Sequence, residues 1–203
     1  MLQDVKSTLI QTYSSTKLKG DGQIISLSFS DNINFEVIPA FINQDGITYT
    51  FPNSNNGGYW KCTDPKREIN AINDMNKISN KNLKRLCRMT RCWKYANGVN
   101  ISGILIDILA YNFISCWDER DKSYLYYDWM SRDFFKYICD INSNQRRWKI
   151  MGSGRYIEED GNFRNKAREA YELAQRAIEC DNSGYEYSAK QIWRQIYGCR
   201  FPI

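Results

Sequence analysis

An α+β fold, with strands first and helices after, is what the order of patterns along these 203 residues predicts. Between residues 23 and 51, short runs alternate apolar and polar side chains and are broken by Gly, Asn, Asp and Pro, the signature of strands and turns. From Thr63 onward, apolar residues recur every three or four positions instead, the signature of helices. A 42% hydrophobic composition with 14 Tyr, 9 Phe and 6 Trp is enough for one good core with a helical annex. The expected organisation is a strand-rich part over 1–62 and a helical lobe over 63–203, packed together as one unit.

Leu2, Val5, Leu9 and Ile10 lie near helical spacing and predict an amphipathic helix over residues 2–13. Residues 17–23, with Gly20-Asp21-Gly22, read as a turn. Strands over 23–29 and 33–38, joined at Ser30-Asp31-Asn32, form a hairpin. In the second strand Glu36 stands among Ile33, Phe35, Val37 and Ile38 before Pro39 halts the run. A carboxylate buried in an apolar strand is costly unless a cation meets it, so Glu36 is the first candidate for chemistry. A short strand at 47–51 leads into the turn-rich segment 52–58, which delivers Tyr59 and Trp60.

Thr63-Asp64-Pro65 caps a helix running to residue 79, with Glu68 in its first turn. A second helix, 82–95, stops at Asn97-Gly98. Residues 102–117 are almost wholly apolar despite Asp107 and Asn112, too short for a comfortable membrane span, and read as a buried helix. An aromatic-rich helix over 122–139, whose stripe is mostly packing, and helices over 162–180 and 185–197 complete the lobe. Met151-Gly152-Ser153-Gly154 follows no clear strand and opens no immediate helix, so it reads as a turn, not a phosphate loop.

Composition excludes several chemistries. There is no His, which removes imidazole acid–base work and Ser-His-Asp or Cys-His catalysis. The 7 Cys show no CxxC spacing and point to reduced thiols in the cytoplasm rather than to zinc. A net charge of +5 suits a phosphate-bearing partner without demanding one. Lys81, Lys84, Arg85, Arg88 and Arg91 gather on one arc of the 82–95 helix at about 100° per residue, and Leu83, Leu86, Met89, Thr90 and Trp93 on the other. That arc is either a solvated face or a cationic rail for phosphates. Gly57-Gly58-Tyr59-Trp60-Lys61 either lets backbone and aromatic rings approach a base or anchors a loop by burying Trp60.

Taken in order, the runs Gly20-Asp21-Gly22-Gln23, Phe35-Glu36-Val37-Ile38-Pro39-Ala40-Phe41, Asn56-Gly57-Gly58-Tyr59-Trp60-Lys61, Thr63-Asp64-Pro65, Asn82-Leu83-Lys84-Arg85-Leu86-Cys87-Arg88-Met89 with Trp93, and Lys122-Ser123-Tyr124-Leu125-Tyr126-Tyr127-Asp128-Trp129 resemble the CD-NTase family. These are the cGAS/DncV-like nucleotidyltransferases of bacterial anti-phage signalling, and the likeness is to SMODS-type members. The resemblance implies a partial polymerase-β-like nucleotidyltransferase sheet followed by a helical C-terminal lobe, and condensation of nucleoside triphosphates into a cyclic oligonucleotide. In that family three acidic residues hold two Mg²⁺ ions. Glu36 falls at the third acidic position and is thereby the catalytic and metal-binding candidate. Arg91 falls where relatives place a phosphate-binding Lys, and Ser102-Gly103 near a phosphate-contacting Ser. Tyr59, Trp60, Lys84 and Arg88 complete the nucleotide-binding candidates. The family's glycine-serine loop and Asp-x-Asp pair have no counterpart here, since the matching segments begin with the helix that follows them.

Three readings follow: an enzyme part completed by an N-terminal piece, a nucleotide-binding or regulatory module without catalysis, and, with least support, a nucleic-acid binder using the 81–91 arc. Nucleoside triphosphates are the expected ligands, neither a membrane nor a nucleic acid is, and the 23–38 hairpin is expected to offer a sheet edge and an apolar face to a complementing chain or a second copy.

Overall fold

Alternation along the first 66 residues builds two small sheets. In a computed structural model, which describes residues 1–159, 161 and 163–202, the chain divides into Met1–Lys66 and Arg67–Ile203. The first unit opens with helix α1, Leu2–Thr12. Strands β1 (Lys17–Asp21), β2 (Ile24–Ser28) and β3 (Asn34–Val37) form an antiparallel sheet in the order β1-β2-β3. The segment read as a turn is thus mostly strand, and only Gly22-Gln23 turns the chain, with Gly22 at φ 58°. The β2–β3 hairpin forms with Leu27 opposite Phe35 and Ile25 opposite Val37. Strands β4 (Phe41–Ile42), β5 (Tyr49–Asn53) and β6 (Tyr59–Thr63) make a second antiparallel sheet. Ser54 ties the two sheets by donating from both its N–H and its hydroxyl to the Gly22 carbonyl, at 3.2 and 3.0 Å.

The second unit is helical. Helices α2 (Pro65–Ile78, beginning just before the division), α3 (Asn82–Ala96), α4 (Gly103–Cys116), α5 (Tyr127–Asp140), α6 (Phe163–Asn182) and α7 (Glu186–Tyr197) follow in order. The predicted start of α6 at residue 162 lies outside the described residues. Leu83, Leu86, Thr90 and Trp93 are buried on α3, the face predicted apolar, and α4 buries Leu105, Ile106, Ile108, Leu109, Ala110, Phe113 and Ile114. Among the described residues no helix is long and apolar enough to cross a membrane.

The 151–154 turn is a hairpin tip between β7 (Arg147–Lys149) and β8 (Tyr156–Glu158), two short strands the sequence pattern did not reveal. Gly152 has φ 77°, and a Cβ placed there would lie 2.2 Å from the Arg67 carbonyl oxygen. Close packing of backbone on backbone accounts for that glycine.

Candidate functional site

Glu36 sits on the polar side of its sheet. Directly opposed residues of an antiparallel pair share a face, so the pairings Ser26–Glu36 and Ser28–Asn34 put Glu36 with Ser26, Ser28 and Asn34. Lys19 and Lys17, opposite Ser26 and Ser28, extend that face across β1. Ile25, Leu27, Phe35 and Val37 take the other. The expectation of a buried carboxylate is corrected: Glu36 is exposed, because period-two alternation turns it away from its apolar neighbours. Among the described residues no group of three or more His, Cys, Asp or Glu side chains gathers as a metal cage. One exposed carboxylate does not fit a two-ion site, and no chemical step is assigned to magnesium on this chain alone.

Tyr59 and Trp60 are successive residues of β6 and so point to opposite faces. Tyr59 keeps company with Lys61, whose ammonium lies 5.4 Å from the Tyr59 ring centre. Trp60 stands with Phe41, their ring centres 6.1 Å apart. Trp60 is 59% exposed, so the alternative in which it anchors a loop in the core does not hold.

On the helical unit the cationic arc fans out rather than forming one rail. Lys84 donates to Asn73 on α2 at 2.7 Å, Arg85 donates to the Asn80 carbonyl at 3.0 Å, and Arg88 is exposed. Arg91 turns inward to α4 and grips Asp107 with two parallel bonds, Nη1 to Oδ1 and Nη2 to Oδ2, each 2.8 Å. The same guanidinium donates to the Cys87 carbonyl at 3.1 Å and to the Gly103 carbonyl at 3.3 Å. This fork matches the planar geometry of a carboxylate and fastens α3 to the first turn of α4. The hydrogen bond to Asp107 leads the causes that hold the Arg91 pKa above its ordinary value. Beside it the buried Cys87 thiol is pushed up to about 12, first by burial and then by the charge of Asp107.

Ser102 caps α4, its hydroxyl accepting from the Leu105 N–H at 3.2 Å. Unpaired N–H groups and the helix dipole make such an end attractive to anions. Here the anion comes from the chain itself: Glu159 accepts from the Ser102 N–H at 2.6 Å and from the Ser102 hydroxyl. Arg91 and Ser102 are therefore brought together at the start of α4, each facing a carboxylate. Lys84 and Arg88 lie on the same helix as Arg91 but outside this cluster, and Glu36, Tyr59 and Trp60 belong to the strand unit.

Asp107 and Glu159 are the members of this cluster that the sequence pattern did not single out. Asp107 carried a usable signal, since an acid inside an otherwise apolar helix needs a partner. Glu159 carried none, as it lies 57 residues from Ser102. The last member of its acidic run, Asp160, lies outside the described residues.

Residues 1–76 match the family model described as Second Messenger Oligonucleotide or Dinucleotide Synthetase domain, SMODS. Over that stretch, a little over a third of its length, the chain is similar to the synthetase domain of the CD-NTase family. All of it aligns with the "Probable cyclic nucleotide synthase" of Bacillus cereus (strain VD146) at 23% identity, covering 62% of that protein. In structure it is similar to Vibrio cholerae DncV in its apo form, with TM-score 0.75, 14% identity, 99% of this chain covered and 56% of DncV. It is also similar to E. coli MS115-1 CdnC solved with ATP, with TM-score 0.63, 13% identity, 100% of this chain covered and 72% of CdnC. At such identities the likeness concerns the fold. This chain spans roughly three-fifths of the length of the B. cereus relative and of DncV.

Proposed function

We propose that this chain is the C-terminal portion of a bacterial anti-phage nucleotidyltransferase that condenses nucleoside triphosphates into a cyclic oligonucleotide second messenger. The observation that carries the reading is the SMODS match over residues 1–76, the stretch that holds Glu36, Tyr59 and Trp60. The ATP of the CdnC structure supports nucleoside triphosphates as ligands. Glu36 is the carboxylate this chain offers to a divalent cation, Mg²⁺ in the resemblance, and the glycine-serine loop and Asp-x-Asp pair come from an N-terminal piece. Tyr59 and Trp60 are proposed to contact bases, and Lys84, Arg88, Arg91 and Ser102 to contact phosphates. Arg91 and Ser102 would do so by exchanging their present carboxylate partners for phosphate oxygens, to which the same fork and the same helix end are suited.

The test is reconstitution in ATP, GTP, UTP and Mg²⁺, with and without an N-terminal fragment bearing the two missing motifs, with products read by liquid chromatography and mass spectrometry. Cyclic product is expected only in the mixture. Glu36→Ala should abolish it, and Arg91→Ala should lower it at least about tenfold. Turnover by this chain alone, or full activity of the reconstituted Glu36→Ala, overturns the assignment.

A nucleotide-binding or regulatory module without catalysis is the second reading, favoured by the lone exposed carboxylate of Glu36 and by the engagement of Arg91 and Ser102 with Asp107 and Glu159. In that case ATP or GTP raises the melting temperature while the mixture stays inactive.

A further inference from the structure

Arg85, Arg88, Met89 and Cys92, at positions i, i+3, i+4 and i+7, turn one stripe of α3 toward a cavity of about 740 Å³. This stripe lies about 100° around the helix from Arg91, so the cavity is separate from the cluster at the start of α4. Its volume falls within the range of small-molecule sites, roughly 300 to 1,000 Å³.

The walls are aromatic and ordered. Trp193, Tyr197 and Phe201 all line the cavity. Their planes lie within 17 to 29° of one another, with centroids 6.1 to 6.4 Å apart. Two anchors hold them. Tyr197 donates its hydroxyl to Ser131 at 2.7 Å, and Arg194 donates to the Phe201 carbonyl at 2.8 Å. Stacked rings of this kind present a flat apolar wall against which another ring can lie.

The polar groups are few and of opposite sign. Arg85, whose guanidinium lies 5.9 Å from the Tyr127 ring centre, Arg88 and Arg200 are among the residues that line this mostly apolar cavity. Asp128 also lines the cavity, and its Oδ1 is buried without a hydrogen-bond partner. A buried acceptor in that state is rare and wants a donor. Partial burial raises the Asp128 pKa, and hydrogen bonds from the Trp129 and Asp128 backbone N–H groups to its carboxyl oppose that rise.

We propose that this cavity binds a planar heteroaromatic anion: a ring lying against the Trp193–Tyr197–Phe201 wall, a ring N–H or amino group donated to Asp128, and a phosphate or carboxylate held by Arg88 and Arg200. Both anions present the same flat or forked oxygens to guanidinium, and the ring supplies most of the buried area. The site uses neither Glu36 nor the cluster at Ser102, but it shares Arg88 with the phosphate contacts proposed above and to that extent rests on the same reading.

Cys92 lines the cavity and is exposed, which makes it a reporter. Alkylation of the full chain by N-ethylmaleimide is followed by mass spectrometry, with the exposed Cys62 and Cys116 as internal controls. The probes are GMP for an aromatic phosphate, indole-3-acetate for an aromatic carboxylate, and ribose 5-phosphate for an anion without a ring. At ten times its dissociation constant, GMP or indole-3-acetate is expected to slow Cys92 about tenfold by mass action and to leave the controls unchanged. Whichever protects identifies the anion. Arg88→Glu with Arg200→Glu should abolish protection while the thermal transition stays in place, and Arg91→Ala should keep it. Protection by neither aromatic probe, equal protection by ribose 5-phosphate, or protection that survives the double substitution overturns the proposal.

Discussion

The two units bury their apolar residues very differently. Of the buried hydrophobic residues, the strand unit contributes Ile25, Leu27 and Phe51, and the others, from Leu83 to Ile196, belong to the helical unit. The strand unit instead shows Ile33, Phe35, Ile38, Phe41, Ile42 and Trp60 at 43 to 59% exposure. Its β3, which carries Glu36, lies at the end of its sheet with one side unpaired within the unit. A helix bundle can close a core on itself, whereas a three-stranded sheet needs a layer against each apolar face. The helical unit carries most of the buried core, and the strand unit leaves more of its apolar side chains exposed. Phe41 and Trp60 stand together with ring centres 6.1 Å apart, and exposed apolar groups of this kind are where a partner would be sought.

The sharpest way to break this comparison is to cut into the helical core. Phe134 is 0% exposed and packs against Phe113 and Phe135. Phe134→Ala should cost about 3 to 5 kcal/mol in urea unfolding followed by circular dichroism. A loss below about 1 kcal/mol would show that the bundle is looser than its burial states.

A smaller effect comes from the Cys87 thiol. Its pKa rises from 9.0 to about 12 on folding. At pH 8 both folded and unfolded chains hold the proton. Above 9 the unfolded chain releases it and the folded one does not, so stability falls as pH rises from 9 toward 12, at up to about 1.4 kcal/mol per pH unit. Measured against Cys87→Ala over that window, the parent should show the steeper decline. Equal slopes would remove the thiol from the account.

The smallest stability change belongs to the strand unit. Phe35→Ser with Trp60→Ser should stay within about 0.5 kcal/mol each, because neither side chain is buried. Dye binding and concentration-dependent elution in size-exclusion chromatography should nevertheless decrease. If the substitutions unfold the unit while association persists, these side chains are structural and the comparison fails.

How far the sequence foretold this depended on the range of each interaction. α3 and α4 were legible because their apolar residues keep a 3.6-residue period over several turns. β1 was hidden by its own composition, since Lys17, Lys19, Gly20 and Asp21 become a strand only through pairing with β2. β7 and β8 were too short to show a period. The alternation around Glu36 is visible in the sequence, but which face of β3 lies open is decided by its pairing with β2. The cationic arc of α3 was visible too. Its dispersal among Asn73, Asp107 and the cavity was not, because a long side chain takes the partner that tertiary packing supplies. The bond from Glu159 to Ser102 closes a loop that leaves no local pattern at either end.

That bond has a consequence for any anion that docks at the start of α4. The carboxylate already there is a tethered competitor, present at the high effective concentration that attachment to the same chain confers. It cannot be diluted, so a phosphate gains that seat only by outlasting a rival that never leaves.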